Sequence, residues 1–555
     1  MKTIDWVVLI ATLGAIVVYG VWKGKRQRGL AAYLLASREL HWPTIALSIM
    51  ATQASAITFL STPGQAYVDG MRFVQFYLGL PIAMVILAAV AVPIYHRLKV
   101  FTAYEYLETR FGVGTRTLTA LLFLIQRGLS TGITLYAPAL IISVILGWNI
   151  HITNVVIGVL VIIYTASGGT KAVSWTHVHQ LLIALGGMAI ALVVAVRSLP
   201  ESIGFTDAIR VAGRLGRISV IDFSFDLTTP YNFWSGLIGG LMVALSYFGT
   251  DQSQVQRYLT GETETESKLG LLFNGLVKVP MQFFILFVGA MVFVFYQFVT
   301  PPLFFNPVEE GKIRTGPHAA AYSRLEVAHR ANFAQKRAAL LADADGATLE
   351  ALQARERANR AAAAALIREN NPVADKNDTN YIFLSFVINY LPPGLVGVLL
   401  AAILCAAMSA TSSGLNSLGS TTVVDVYRRL LVRGKSDTHY VRASKGLTIF
   451  WGVFAIGFAE FANQLGSLIE AVNKLGSLFY GTILAIFLLA FFTKRVSGTA
   501  AFIGAVVGET AVITAAIYSD MAWLWWNVIG CVVGVVAALV VHQILPPQRE
   551  TAAQG

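Results

Sequence analysis

Ser409, Ser412, Ser413 and Asn416 lie at i, i+3, i+4 and i+7 within "AAILCAAMSATSSGLNSLGST", residues 401–421. On a helix that spacing stacks four polar side chains on one face. The remaining residues are mostly small and apolar, which lets such a helix approach a neighbour closely. Neutral hydroxyl oxygens suit a hard monovalent cation that must bind and leave quickly. A second source of neutral oxygens lies upstream, in "LSIMATQASAITFLSTPGQ" (47–65), where Thr52, Gln53, Ser55 and Thr58 precede Pro63-Gly64. A helix interrupted there presents unwound carbonyls near Ala51 and Ala54 to the hydroxyl stripe. The plainer alternative has each hydroxyl bonding the carbonyl four residues behind it. An aligned stripe beside a broken helix points to the cation.

The elements that must hold these residues are membrane spans. The chain is 56% hydrophobic and 13% charged, against ~45–50% and ~25% for soluble domains, and its mean hydropathy is +0.65. The net charge of +11 sits in clusters between apolar runs, as in cytoplasmic loops, so nucleic acid is not the expected partner. The two cysteines, Cys405 and Cys531, fall inside apolar runs and imply no disulfide framework. At ~20 residues per span, thirteen spans are expected, near 4–22, 42–62, 73–95, 117–147, 152–167, 174–197, 233–256, 270–298, 394–420, 445–463, 474–492, 497–518 and 522–545. The first is a retained span, because its basic cluster follows the apolar run. The basic stretches at 96–99, 427–435 and 493–495 then fall inside, with the N-terminus outside and the C-terminus cytoplasmic.

Spans two and seven are poor lipid-facing helices. The seventh carries Gly236, Gly239, Gly240 and Gly249 before Asp251. Freed backbone groups must line a cavity inside protein. Five spans apart, the pair marks a possible five-helix repeat, 41–197 and 233–493, and matched interrupted helices point to a transporter's midplane site. Within a single transporter unit (1–555), residues 1–30 form an extra span and 497–545 two C-terminal ones. An Ala-, Arg- and Glu-rich insertion at 300–380 is expected to be a solvated outer helical hairpin, with Asp345-Gly346 as a stop and Thr348 as a fresh cap. Asp251 with Arg257, and Asp425 with Arg428, are expected charge pairs.

Four stretches, "TAYEYLETRFG" (102–112), "YTASGGTKAVSWTHVHQ" (164–180), "YFGTDQSQVQRYLTG" (247–261) and "MSATSSGLNSLGSTTVVDVY" (408–427), together resemble the sodium:solute symporter family. The resemblance implies an all-α membrane fold with the inverted five-helix repeat of the leucine-transporter type. It also implies a sodium site between spans two and nine: Ala51, Ala54 and Ala406 through backbone oxygens, and Ser409 through its hydroxyl. Ser412 and Ser413 match an additional cation site of some members. Two positions depart from the family pattern. Ala410 stands where many members have a second hydroxyl, leaving Thr411, Ser412 or water to help. His177 stands where the family usually has Asp, which implies a coupling and pH role and a single sodium. By position, the substrate residues are Gln53, Gln75, Tyr77, Tyr247 and Lys278. Lys278 also stands out unaided, since an intramembrane Lys is expensive and functional by default.

The reading is therefore sodium-coupled symport of a sugar or small organic anion by alternating access. The protein would be a monomer or weak oligomer in the lipid bilayer of the plasma or inner cell membrane. No nucleophile, metal-hydrolase or nucleotide signature suggests an enzyme. The rivals are a proton-coupled symporter or uniporter and a transporter-like solute sensor. The sequence ends about ten residues after the last span, which argues against the sensor, since such proteins usually add a cytoplasmic signalling domain.

Overall fold

Apolar runs in lipid must satisfy every backbone polar group internally, and helices do so. The computed structural model describes residues 1–24, 35, 38–372, 374–375 and 378–545, with side chains omitted at 16, 17, 19–24, 167–178 and 463. Among these residues the chain is helical, with one isolated bridge between Leu40 and Gly261. The helices used below are labelled α1 (Thr3–Gly24), α2 (Trp42–Gln53), α3 (Ala56–Asp69), α4 (Ala103–Phe111), α5 (Val113–Leu146), α6 (Ile150–Arg197), α7 (Gly240–Gly249), α8 (Gln252–Tyr258) and α9 (Glu264–Phe298). They continue with α10 (Ala319–Leu341), α11 (Gly346–Asn370), α12 (Thr379–Tyr390), α13 (Leu395–Thr421), α14 (Asp437–Ala459), α15 (Leu468–Phe492), α16 (Gly498–Tyr518) and α17 (Trp523–Ile544).

Among the described residues, eight helices are long and apolar enough to cross a membrane, or nine counting α2 and α3 as one span bent by 57°. Thr3–Ala15, Ile150–Ala166 and Ser235–Gly249 are apolar but shorter, and α14 carries Arg442 and Lys445. Each expected span thus falls on a helical stretch. One boundary differs: α6 runs unbroken for 48 residues, where a loop was expected between 167 and 174. The linking sequence "SGGTKA" has no proline, and a glycine costs a helix only about 1 kcal/mol.

The break between α2 and α3 is local. Ala54 leaves the helix at ψ 65° and Ser55 is extended, before α3 restarts at Ala56. Close crossings then seat α3 and α13. A Cβ on Gly289 of α9 would lie 2.3 Å from the Pro63 carbonyl oxygen, and one on Gly414 would lie 2.6 Å from the Thr131 hydroxyl. Only glycine permits those approaches.

The insertion folds as α10 and α11, but it is more than a solvated hairpin. Leu303, Phe304, Ile313, Tyr322 and Ile367 form a small core of their own. Buried Lys336 reaches Glu356 at 2.6 Å, and Arg360 reaches Asp378 at 2.7 Å. Burial pushes the Glu356 carboxyl up, but Lys336 and Arg360 beside it outweigh that and hold it below the usual carboxylate range. The cap of α11 is Asp345, which accepts the Thr348 N–H at 2.7 Å, so Thr348 lies within the helix rather than starting it.

Candidate functional site

A cavity of about 1060 Å³, its open mouth included, lies where the two interrupted spans meet. The α2–α3 break contributes Thr52, Gln53, Ser55 and Thr58; α5 gives Arg127 and Thr131; α7 gives Tyr247; α9 gives Lys278. Ala410 and Gly414 of α13 and Asn473 and Tyr480 of α15 complete the wall. The sequence therefore brings Gln53, Tyr77, Tyr247 and Lys278 together at one cavity.

Gln75 is not among them. It is fully buried: its amide donates to the Tyr231 carbonyl at 2.9 Å and its oxygen accepts the Asp222 N–H at 2.9 Å. Residues 71–77 form a 3-10 turn. With three residues per turn, Gln75 and Tyr77 leave that turn on different sides, one towards the loop at 222–231 and one towards the cavity.

Lys278 is 1% exposed and pairs with no carboxylate among the described residues. Its ammonium lies 5.8 Å from the centre of the Tyr77 ring, whose hydroxyl accepts from Gln282. Tyr247 accepts from Gln254 at 2.7 Å and lies against the Arg127 guanidinium.

Arg127 is the residue that sequence reasoning missed, although an arginine in the middle of an apolar span is itself a signal. It forms a buried ion pair with Asp251, so the expected Asp251–Arg257 pair does not form. Asp251 also caps α8 by accepting from the Ser253 N–H at 2.9 Å, and Tyr480 approaches both partners at 3.4 Å. The interruption of span seven is thus held by a charge-bearing floor beneath the cavity.

The cation candidates divide. At the end of α2, the Met50 carbonyl accepts from Ala54 N–H and that of Gln53 from the Thr58 hydroxyl at 2.9 Å. Ala51 and Ala54 are buried, as are Ala406 and Ser409 on α13, which contacts both α2 and α3. Thr411 is spent on its own helix, bonding the Ala407 carbonyl at 2.9 Å. The Ser412 hydroxyl is buried without a hydrogen-bond partner among the described residues. Ser413 accepts from the buried Arg257 guanidinium at 3.0 Å. Buried Ala51, Ala54, Ala406 and Ser409 thus lie on helices that touch, whereas the Ser413 hydroxyl already has a guanidinium on it. The side chain of His177 lies outside the described residues.

At the far end of α13, Asp425 pairs with Arg116 at 2.7 Å rather than with Arg428. The helix widens over Thr422–Leu431, which turns Arg428 onto the Tyr440 ring at 5.3 Å.

Known proteins share this layout. The chain is 27% identical over 507 residues to the human sodium-coupled monocarboxylate transporter 1, covering 91% of this chain and 72% of that one. It is 26% identical to the sodium/sialic acid symporter SiaT of Proteus mirabilis (strain HI4320), covering 99% and 96%. The structure of a sodium-coupled sialic acid symporter in a substrate-bound outward-open state superposes with a TM-score of 0.77 at 24% identity, over 98% of this chain and 99% of that one. The family model for sodium:solute symporters matches residues 33–328 and 360–508. With that match running over most of its length, the chain belongs to the sodium:solute symporter family.

Proposed function

We propose that this protein moves a small organic anion together with one sodium ion by alternating access, and that it is not an enzyme. The observation that carries the anion is Lys278. A cation buried in an apolar span and facing a cavity is costly unless a charge comes to meet it. Two relatives named for monocarboxylate and sialic acid, both carboxylated solutes, support the same reading. Gln53, Tyr77 and Tyr247 supply hydrogen bonds around the solute, and Thr58 and Asn473 extend the polar wall.

Sodium is held by Ala51, Ala54 and Ala406 carbonyls and the Ser409 hydroxyl. It ties α2 to α13 and favours the state that presents the cavity, which is all that coupling requires. Ser412 and Ser413 do not take a second sodium, because the guanidinium of Arg257 is already on Ser413. The membrane is the plasma or inner cell membrane, with the N-terminus and the insertion outside and the C-terminus cytoplasmic. The unit of transport is a monomer or weak oligomer.

The experiment is uptake into proteoliposomes under an imposed sodium gradient, with a panel of carboxylates, sugars, vitamins and amino acids. Carboxylates should accumulate with sodium, and Lys278→Gln should cut their uptake at low concentration at least tenfold, since a charged hydrogen bond is worth ~1.5–3 kcal/mol. Neutral sugars accumulating equally in parent and variant would remove the anion from the reading. Uptake indifferent to sodium would remove the coupling.

A further inference from the structure

At the α14 side of the molecule the sequence "YRRLLVRGK" (427–435) could be no more than the scattered basic residues of a cytoplasmic loop. The fold gathers them instead. Arg116, Arg428, Arg429 and Arg433 converge on one pocket with Phe101 and Glu105, a concavity of about 720 Å³ with its mouth. Four guanidinium groups in one recess repel one another unless an anion joins them.

The carboxylates nearby do not fill that need. Glu108 is shared between Arg116 at 2.6 Å and Arg429, and Asp425 is held by Arg116 and by the Thr102 hydroxyl at 2.9 Å. Glu105 accepts the Phe101 N–H at 3.1 Å and stands 3.9 Å from Arg116. Arg428 and Arg433 form no close ion pair among the described residues, and of the pocket's carboxylates only Glu105 comes within electrostatic reach of Arg428. Arg428 lies over Tyr440, and Arg433 donates through Nε to the Arg429 carbonyl at 3.0 Å.

The wall is also preformed. Val432 N–H donates to the Tyr427 carbonyl at 2.8 Å, and Tyr440 donates to the Val432 carbonyl at 2.9 Å. Lys435 N–H donates to the Tyr440 hydroxyl at 3.2 Å. Gly434 sits at φ +70°, a turn that favours glycine. Leu430 and Leu431, between Arg429 and Arg433 in sequence, are exposed, which suits a headgroup with acyl chains beside it.

We propose that this pocket binds a phosphate group through Arg428, Arg433 and the outer face of Arg116, presented either by an anionic phospholipid or by a soluble phosphate. Planar guanidinium forks match phosphate oxygens in pairs. Because its walls come from the end of α13 and from the segment leading into α4, a bound phosphate bridges the cation-bearing helix to its neighbours.

The test uses the full chain purified in a neutral detergent. Phosphatidylglycerol, phosphatidylcholine and inorganic phosphate are added separately to the parent and to the double variant Arg428→Gln/Arg433→Gln. Retained lipid is counted by native mass spectrometry, and the melting temperature is followed in parallel. Phosphatidylglycerol should be retained by the parent over phosphatidylcholine and should raise its melting temperature. Each arginine near a lipid surface is worth about fivefold in affinity, so retention should fall on the order of 25-fold in the double variant. A rise with inorganic phosphate alone, lost in the variant, assigns the soluble source. Equal retention by parent and variant, or no response of the parent to either phosphate, overturns the proposal. Both arginines lie outside the transport cavity, so sodium-driven uptake in phosphatidylcholine vesicles should be the same for parent and variant, which shows that the variant is folded.

Discussion

Arg257→Gln tests whether the protein's own guanidinium stands where a second sodium would otherwise bind. In the parent, Arg257 donates to Ser413 at 3.0 Å, and the neighbouring Ser412 hydroxyl is buried without a partner among the described residues. Placed about 4 Å from that guanidinium, a sodium ion would meet about 4 kcal/mol of repulsion at an effective dielectric of about 20. At about 1.4 kcal/mol per factor of ten, that is close to a thousandfold in affinity, enough to leave the site empty at working concentrations. The assay is initial uptake against sodium concentration at saturating solute, fitted for a Hill coefficient, with a sodium-to-solute flux ratio as a second measure. The parent should give a coefficient and a ratio near one. In the variant the amide still donates to Ser413, but the charge is gone, and the coefficient should rise above one. A parent coefficient near two, with Arg257 intact, would refute the electrostatic argument outright.

Ser409→Ala should raise the half-saturating sodium concentration several-fold with expression unchanged, because alanine suits a helix interior while a cation ligand is lost; full retention of sodium dependence would return the stripe to packing. In the loop before α12, burial pushes the Asp375 carboxyl up to about 7, although Tyr381 and Tyr136 donate to it. Its folded value lies above the unfolded ~3.9, so protonation of this carboxyl favours the fold: its contribution to stability is full below pH ~4 and is lost as pH rises towards 7, by up to about 4 kcal/mol. Melting curves of Asp375→Asn should lack that part of the decline, and an unchanged pH profile would count against it. Gly289→Ala should cost ~1–3 kcal/mol, since the new Cβ would press on the Pro63 carbonyl, and should lower the melting temperature more than Gly186→Ala, where no atom lies within 4 Å.

Much of this molecule was legible as local pattern. The polarity of 47–65 and the glycines from 236 to 249 ahead of Asp251 marked both interrupted spans, and a 3.6-residue spacing located the hydroxyl stripe on α13, because each depends on residues within a few turns of one another. The small residues of α13 likewise announced a close crossing, and Gly414 against Thr131 is one. The charge pairs were not legible. Asp251 and Arg257, or Asp425 and Arg428, are neighbours in sequence, yet each acid is taken by an arginine of α5, Arg127 and Arg116. Those partners lie 124 and 309 residues away, and no periodicity records such a distance. Gln75 faces the 222–231 loop for a related reason, since its partners arrive only when that loop folds over the turn. Sequence determined which side chains each helix would offer. Helix crossing, set by glycine contacts and the burial of charge, decided which of them meet: it closed the floor of the cavity, left Lys278 facing it, and put Arg257 on Ser413.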